Sequence, residues 1–342
     1  MRRAVPFVVG AGAFLAVSIS SAVTAQGPAG SSGAGGATPT VSVLHTEHFS
    51  PTVADLDRAI AFYRDVIGLP IQPKPEPVWD STPWLRAMHG TGDAPLRYAI
   101  AKVPGTNWGV EMVEFKSADR RPVVPKVQDP GAATVAFGVR DMGAAMARLK
   151  SAGVTIVSAG GVPTGSPGGN QAVIFRDPDG FLVEMFTQMP AAGNTAPATS
   201  NVIGGGKRIV VADLDKTLAL YRDQLSWPFG AVSDSDTKNF RALMGLEAKS
   251  RHSVATSPDG ALYELNEFQG VDRTPLKTRV QDPGSTRLYL TVNNLDGALA
   301  RFKAAGGSII SAGGQPVTGG GTRYFAVRDM NGVFFVVSEA RK

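Results

Sequence analysis

The chain repeats itself, and this repetition limits the folds that are open to it. The segment 62–65 (FYRD) returns as 220–223 (LYRD), and 128–131 (QDPG) returns unchanged as 281–284. Self-similarity of this kind indicates copies of one structural unit. Residues 190–202, rich in Ala, Gly, Thr and Asn, lie between the copies and are typical of a linker. The sequence therefore predicts two similar halves.

Each half divides again into two modules that begin alike. Asp55 and Asp141 each follow an apolar strand and belong to a residue type that commonly caps the N-terminus of a helix. The apolar residues after each aspartate recur at helical spacing. Each module is therefore predicted to be a strand, a helix and several further strands, with curved sheets and helices on one face. The predicted fold class is α+β, in two tandem domains at residues 41–189 and 203–338.

A hairpin in the first half places a carboxylate in an apolar strand. Residues 177–180 (DPDG) predict a tight turn, because proline presets φ and glycine permits a positive φ. In the strand that follows, residues 181–186, Glu184 is the single charge. Burying an unpaired charge is costly, so Glu184 is predicted to meet a cation, an arginine or a substrate proton.

Taken together, these motifs resemble the vicinal oxygen chelate superfamily, which includes glyoxalase I, bleomycin-resistance proteins, fosfomycin-resistance enzymes and extradiol dioxygenases. The resemblance covers nearly all of residues 41–338, with the helix opened by Asp55, a Glu-bearing strand, DPG and DPDGFLVE in that order. It implies paired βαβββ modules that form a cup, with the helices on its outer face. It specifies the fold more than the reaction, because the fold hosts several chemistries and binding-only members.

The resemblance also implies metal-ligand positions on the first and last strand of each module. In the first half these match His48, Glu111, Thr134 and Glu184. One imidazole and two carboxylates suit a divalent ion such as Mn²⁺, Fe²⁺, Zn²⁺ or Mg²⁺. We therefore expect a metal at His48, Glu111 and Glu184, with Glu111 or Glu184 as the catalytic proton carrier. The alternative is a metal-free hydrogen-bonded pair of His48 and Glu184 in a binding cup.

The second half has lost most of these ligands. The matching positions hold Gly206, Glu264, Arg287 and Val336, so this site is predicted to be degenerate and free of metal. Strand alternation places Arg287 on the cup face. It is predicted to pair with Glu264, either as a structural ion pair or in a cup for an anion.

The four modules can pair as neighbours, or first with last and second with third. Only neighbour pairing joins His48, Glu111 and Glu184, whereas pairing first with last sets Arg287 beside His48. Because a guanidinium repels a metal cation, neighbour pairing is predicted.

One further histidine stands where the second half has no ionisable group. His89 ends an apparent helix, and Met244 occupies the matching position. A histidine at a helix C-terminus is the simple interpretation. A substrate contact is the alternative, because this region of the resembled family often folds over the cup.

The N-terminus has the pattern of a secretory signal peptide. Arg2 and Arg3 precede an apolar segment that is short for a membrane span, and small residues follow up to Ala25. We expect a signal peptide over residues 1–25, a flexible linker over 26–40, export, and no stable membrane anchor after processing. The chain has no cysteine, which excludes disulfides and thiolate metal sites.

The charge pattern gives no sign of a nucleic-acid partner, because the net charge of +5 is spread over interspersed charges of both signs. The function predicted is an exported, glyoxalase-like, metal-dependent enzyme of lyase, isomerase or dioxygenase type. Its substrate would be a small molecule with adjacent oxygens. The alternative is a metal-free protein, resembling bleomycin-resistance proteins, that binds a small aromatic or cationic molecule.

Overall fold

A computed structural model describes residues 40–72, 78–116, 119–165, 169–190, 193–258 and 260–341. The predicted signal peptide and all but the last residue of the predicted linker 26–40 lie outside these ranges. No helix in the described ranges is long and apolar enough to cross a membrane.

The described residues form four modules of one kind, each with a first strand, a helix and further strands. Module 1 spans residues 43–115, module 2 spans 133–187, module 3 spans 202–269 and module 4 spans 286–339. The strands are β1 (Val43–His45), β2 (His48–Pro51), β3 (Ile71–Gln72), β4 (Leu96–Lys102), β5 (Gly109–Phe115), β6 (Ala133–Val139), β7 (Thr164–Gly165), β8 (Gln171–Arg176), β9 (Leu182–Thr187), β10 (Val202–Val210), β11 (Ser233–Ser235), β12 (Lys249–Thr256), β13 (Leu262–Gln269), β14 (Thr286–Val292), β15 (Ser308–Ile309), β16 (Val317–Gly319), β17 (Thr322–Arg328) and β18 (Phe334–Glu339). The α-helices are α1 (Leu56–Ala61), α2 (Pro83–His89), α3 (Met142–Ser151), α4 (Leu214–Leu218), α5 (Lys238–Met244) and α6 (Leu295–Ala304).

The first helix of each module begins where the sequence predicts. The side chain of Asp55 accepts a hydrogen bond from the Arg58 backbone N–H, and Asp141 accepts one from that of Ala144. Each bond satisfies one of the backbone donors that a helix N-terminus leaves unpaired. After α1 the chain continues as a π-helical segment, Phe62–Ile67.

The strands form two sheets, and each sheet joins two modules. Sheet A has the order β15-β17-β18-β14-β2-β5-β4-β3, so it combines module 4 with module 1. Sheet B has the order β11-β12-β13-β10-β6-β9-β8-β7, so it combines module 3 with module 2. At the seam of sheet A, β14 runs antiparallel to β2 with Arg287 opposite Ser50. At the seam of sheet B, β10 runs antiparallel to β6 with Arg208 opposite Thr134.

The expected α+β architecture of four modules and two curved sheets is confirmed. The expected pairing of neighbouring modules is wrong, because strands from both sides of the 190–202 linker share each sheet. The prediction of neighbour pairing rests on the premise that His48, Glu111 and Glu184 share one metal. The structure pairs the strand of Arg287 with the strand of His48, so that premise is wrong.

Neighbouring modules still contact each other, through the helices that lie on the outer faces of the sheets. The Tyr63 hydroxyl of module 1 donates to Asp177 Oδ2 of module 2 at 3.1 Å. The Tyr221 hydroxyl of module 3 donates to Asp329 Oδ2 of module 4 at 2.5 Å. Burial raises the pKa of Asp177 to about 7. The tyrosine of each (F/L)YRD motif thus forms a hydrogen bond with an aspartate in a hairpin turn of the following module.

Candidate functional site

Each sheet curves around a cup on the face opposite its outer helices. The cup of sheet A, here cup A, holds a cavity of about 690 Å³. His48 and Glu111 from module 1 and Tyr289 from module 4 line this cavity. Alternate residues of β2 face opposite sides of the sheet. Ser50 and Thr52 contact the cup-side Arg287, whereas Phe49 belongs to the apolar core on the other side.

Glu111 is linked to a buried cation through one hydroxyl group. Ser50 Oγ donates to Glu111 Oε2 at 3.0 Å, and Arg287 Nη2 donates to the same Ser50 Oγ at 2.9 Å. Burial and the nearby charge of Glu111 raise the pKa of Tyr289, while the charge of Arg287 acts to lower it. The Tyr289 hydroxyl therefore stays protonated and can donate a hydrogen bond in the cavity. Glu111 thus has a buried guanidinium one hydroxyl group away.

Arg287 lies beneath the cavity. It is 1% exposed, its Nη1 donates to Thr52 Oγ1 at 2.8 Å, and its guanidinium carbon lies 5.4 Å from the centre of the Phe115 ring. The expectation that Arg287 pairs with Glu264 is wrong, because the two residues lie in different sheets. The guanidinium of Arg287 instead joins module 4 to module 1 through its hydrogen bonds to Ser50 and Thr52.

His48 stands beside Glu111 with a polar atom available. Its ring meets the ring of Tyr289 edge to face at 5.8 Å, and its buried Nδ1 has no hydrogen-bond partner among the described residues. Burial lowers the pKa of His48, and the nearby charge of Glu111 opposes that shift without reversing it. A neutral imidazole and a carboxylate thus share the wall of one cavity.

The cup of sheet B, here cup B, has an arginine at its centre. Arg208 Nη1 donates to Glu184 Oε2 at 2.5 Å, while its Nε and Nη2 donate to Glu264 Oε2 at 3.3 and 3.2 Å. The three side chains are buried. The sequence argument left three possible partners for Glu184, and the structure identifies the arginine. The argument missed Arg208 itself, although alternation places it on the cup face two residues after Gly206.

The two carboxylates around Arg208 are not equivalent. Burial raises the pKa of Glu184 to about 7, although the charge of Arg208 acts to lower it. Burial also acts to raise the pKa of Glu264, but Arg208 and a hydrogen bond from Asn266 outweigh it and hold that pKa below its usual value. Arg208 therefore stabilises the ionised form of Glu264 more completely than that of Glu184.

Cup B is filled with apolar side chains. Phe240, Leu243 and Met244 of α5 belong to a buried cluster with residues of β8, β9 and β13. The rings of Phe240 and Phe268 stack at 5.9 Å. In cup A the matching helix, α2, instead borders the cavity with Trp84, Met88 and His89.

The structure does not bring together the three predicted metal ligands. His48 and Glu111 lie in cup A, while Glu184 lies in cup B against Arg208, and Thr134 pairs in register with that arginine. Within the described ranges, no group of three or more His, Asp or Glu side chains is arranged to hold a metal ion.

The superfamily generally uses divalent metal ions, but the residues of this chain do not fit one. Cup A offers two ligands, and its other two ligand positions are Arg287 and Val336. Cup B offers two carboxylates that both accept hydrogen bonds from the buried Arg208. Glu184 is also fully buried, so the role predicted for it as a catalytic proton carrier is not supported by its position.

Comparison with known proteins identifies the family of this chain. The family model described as "Glyoxalase/Bleomycin resistance protein/Dioxygenase superfamily" matches residues 45–185 and again 202–337. The chain belongs to this superfamily. Both repeats are thus recognisable members, although the sheets are built across the boundary between them.

Relatives of this superfamily member include an enzyme from an Actinomyces species named 2-epi-5-epi-valiolone epimerase. It is 31% identical over 149 residues, which are 42% of this chain and 79% of the relative. Among solved structures, glyoxalase I from Zea mays superposes with a TM-score of 0.53 at 18% identity, covering 88% of this chain and 92% of the maize protein. A putative dioxygenase from Bacillus subtilis gives a TM-score of 0.54 at 16% identity, covering 88% and 86%. At these identities, the two structures support the fold alone.

Proposed function

We propose that this protein binds a small molecule in cup A and does so without a metal ion. The observation that carries this proposal is the Ser50 hydroxyl that bridges Arg287 and Glu111, because it sets a buried guanidinium beside the carboxylate, where a metal cation would be repelled. The adjoining cavity of about 690 Å³ falls within the range of small-molecule sites. Cup B contains the buried Arg208 and packed apolar side chains, and we assign it a structural role. Export through residues 1–25 is part of the proposal and rests on the sequence pattern alone.

The proposal is tested with matched substitutions in the two cups. Ile100 lies opposite Glu111 on β4 and lines the cavity, and Val254 lies opposite Glu264 at the same place in cup B. Ile100→Trp is expected to fill cup A, whereas Val254→Trp adds the same bulk to the other sheet. Small polar aromatic compounds are screened by thermal shift against protein stripped of metal with EDTA.

We expect binding compounds to raise the melting temperature of the parent and of Val254→Trp, but not of Ile100→Trp. Added Mn²⁺ or Zn²⁺ should leave their affinity unchanged. Stoichiometric bound metal that is lost on Glu111→Gln, together with binding that requires it, would contradict the proposal.

A second function, proton transfer at a carbon next to a carbonyl, is favoured by the position of His48 beside Glu111. Glu111 would remove the proton, the C–H electron pair would form an enolate, and Tyr289 would donate a hydrogen bond to the enolate oxygen. A water molecule then protonates the opposite face of that carbon, and its hydroxide takes the proton from Glu111, which gives the epimer and restores the carboxylate. The name of the Actinomyces relative also points to this reaction class.

The test is deuterium incorporation from D₂O into polyhydroxylated cyclic ketones, followed by NMR. Incorporation by the parent and by Val254→Trp, with loss in Glu111→Gln, supports the enzyme. Ligand binding in cup A with no exchange in any of these ketones supports the binding protein.

A further inference from the structure

A buried histidine at the edge of cup A has an unused hydrogen-bond acceptor. His89 is 3% exposed and lines the cavity. Its Nδ1 lies 2.9 Å from the Leu85 carbonyl oxygen, and its Nε2 is buried without a partner in the part of the chain that is described. A carbonyl oxygen can only accept, so Nδ1 carries the proton and donates. Nε2 therefore presents a lone pair on the side of the ring away from its own helix.

The imidazole stays neutral, so this acceptor persists at physiological pH. Burial and the charge of Arg287 together lower the pKa of His89 to about 3, although the hydrogen bond to Leu85 acts to raise it. Both residues pack against Phe115, with the His89 ring edge to face at 5.5 Å. A ligand group that meets Nε2 must then bring its own proton.

The fold does not require a polar side chain at this place. Met244 occupies the matching position of α5 and is buried in the apolar filling of cup B. A buried acceptor without a partner destabilises the folded state, and an apolar residue avoids that cost. The lone pair of His89 therefore has a role that the packing of α2 does not explain.

The charges that line cup A favour a cation. Four carboxylates border the cavity, those of Glu47, Asp80, Glu111 and Glu339, against the guanidinium of Arg341. Glu339 is paired with Arg323 at 3.4 Å, and Glu111 is linked through Ser50 to the buried Arg287. Among the described lining residues, this leaves the carboxylates of Glu47 and Asp80 against the guanidinium of Arg341, a net charge of 1 − 2 = −1. A negative wall attracts a positive ligand.

Aromatic side chains make the same cavity suitable for a flat ring. Trp84, Tyr98, Tyr289 and Tyr324 line it, and the rings of Trp84 and Tyr324 stack at 5.6 Å with an angle of 16°. The Trp84 ring also lies over Gly319, where a Cβ would come within 2.0 Å of it. The helix that carries His89, α2, therefore packs against module 4. Tyrosine and tryptophan faces bind cations as well as rings.

We propose that cup A selects a ligand with a protonated amine on a flat ring, and that His89 determines this specificity by accepting a hydrogen bond from the amine. This inference rests on the proposed binding function of cup A and adds the ligand class to it. His89 thereby distinguishes a cation that carries N–H donors from a cation of equal charge that carries none.

Four indoles test the inference by isothermal titration calorimetry on the full chain at low salt. Tryptamine carries a cation with N–H donors, N,N,N-trimethyltryptammonium carries a cation without them, tryptophol is neutral, and indole-3-propionate is an anion. We expect tryptamine to bind most tightly and indole-3-propionate most weakly. His89→Leu should weaken tryptamine by about tenfold or more, the effect of losing a hydrogen bond to a charged group, and change the trimethyl compound by less than about twofold.

Two variants serve as controls for the substitution itself. Met244→Leu makes the matched change in α5 and should leave all four affinities unchanged. His89→Gln keeps an acceptor and should recover part of the tryptamine affinity. If His89→Leu unfolds the protein, the preference of the parent for tryptamine over the trimethyl compound still tests the inference.

The inference is overturned if indole-3-propionate binds as tightly as tryptamine, if His89→Leu weakens both cations equally, or if tryptamine does not bind at millimolar concentration. The Ile100→Trp variant shows whether a negative result concerns only the ligand class or also the proposed binding function of cup A. Binding that survives Ile100→Trp places the indoles outside cup A and refutes the proposed function. Binding that Ile100→Trp abolishes, but that shows no preference among the four, leaves cup A as the site and removes only the ligand class.

Discussion

Replacing Arg208 with methionine would leave the carboxylates of Glu184 and Glu264 buried beside each other without a cation. Arg208 makes three charge-assisted hydrogen bonds at 2.5–3.3 Å and is 2% exposed. Methionine has a similar length and an apolar side chain, so the main loss is electrostatic. Removing one member of a buried ionic group costs about 3–5 kcal/mol, and we expect this loss in the free energy of unfolding at pH 8.

The pH dependence of this loss identifies its cause. Without Arg208, the pKa values of both carboxylates rise, so the folded variant binds more protons than the folded parent. The unfolded chains titrate alike. The difference in stability between parent and variant therefore grows with increasing pH, by about 1.4 kcal/mol per pH unit for each extra proton that the folded variant holds.

The assay is urea unfolding followed by circular dichroism at several pH values between 5.5 and 8.5. The double variant Arg208→Met/Glu184→Gln removes one of the two charges and should recover part of the stability and flatten the pH dependence. A loss below about 1 kcal/mol at pH 8 would refute the reasoning, because it lies far under the cost of an unpaired buried charge. A loss of full size that does not change with pH would assign the effect to packing instead.

Two other predictions concern the outer face and the N-terminus. Tyr63→Phe removes the hydrogen bond to Asp177 and should lower the free energy of unfolding by about 1–3 kcal/mol, as measured by urea unfolding, because the buried carboxyl loses a donor; an unchanged midpoint would show that the Tyr63–Asp177 bond does not stabilise the fold. If the N-terminal pattern is a signal peptide, the mass of protein recovered from the exported fraction should correspond to a chain beginning at Gln26, and a full-length mass there would contradict it.

Local structure was predictable from the sequence because it depends on short-range chemistry. The helix starts at Asp55 and Asp141 follow from capping, and the cup face of β2 follows from strand alternation. The family resemblance supplied the module and both cups. His48 and Glu111 were correctly predicted to share a site, because they belong to one module.

The pairing of modules was not predictable, because β2 makes acceptable backbone hydrogen bonds with the first strand of any other module. The sequence argument decided between pairings by counting metal ligands. That criterion fails because it omits Arg208, which binds Glu184, and because Arg287 reaches Glu111 through Ser50. Neither contact is visible in a sequence, since each depends on which modules share a sheet.

The pairing of the modules also determines the order in which the two sheets can form during synthesis. The Arg208–Glu184 bond in sheet B joins residues 24 positions apart, whereas the Arg287–Thr52 bond in sheet A joins residues 235 positions apart. During synthesis from the N-terminus, sheet B can close as soon as module 3 emerges, while module 1 waits for its partner until the last strands are made. A chain truncated before module 4 is therefore expected to protect the amides of β6 and β10 from hydrogen exchange while those of β2 and β5 exchange. Cup A is completed last, so only a chain that includes module 4 acquires the proposed ligand site.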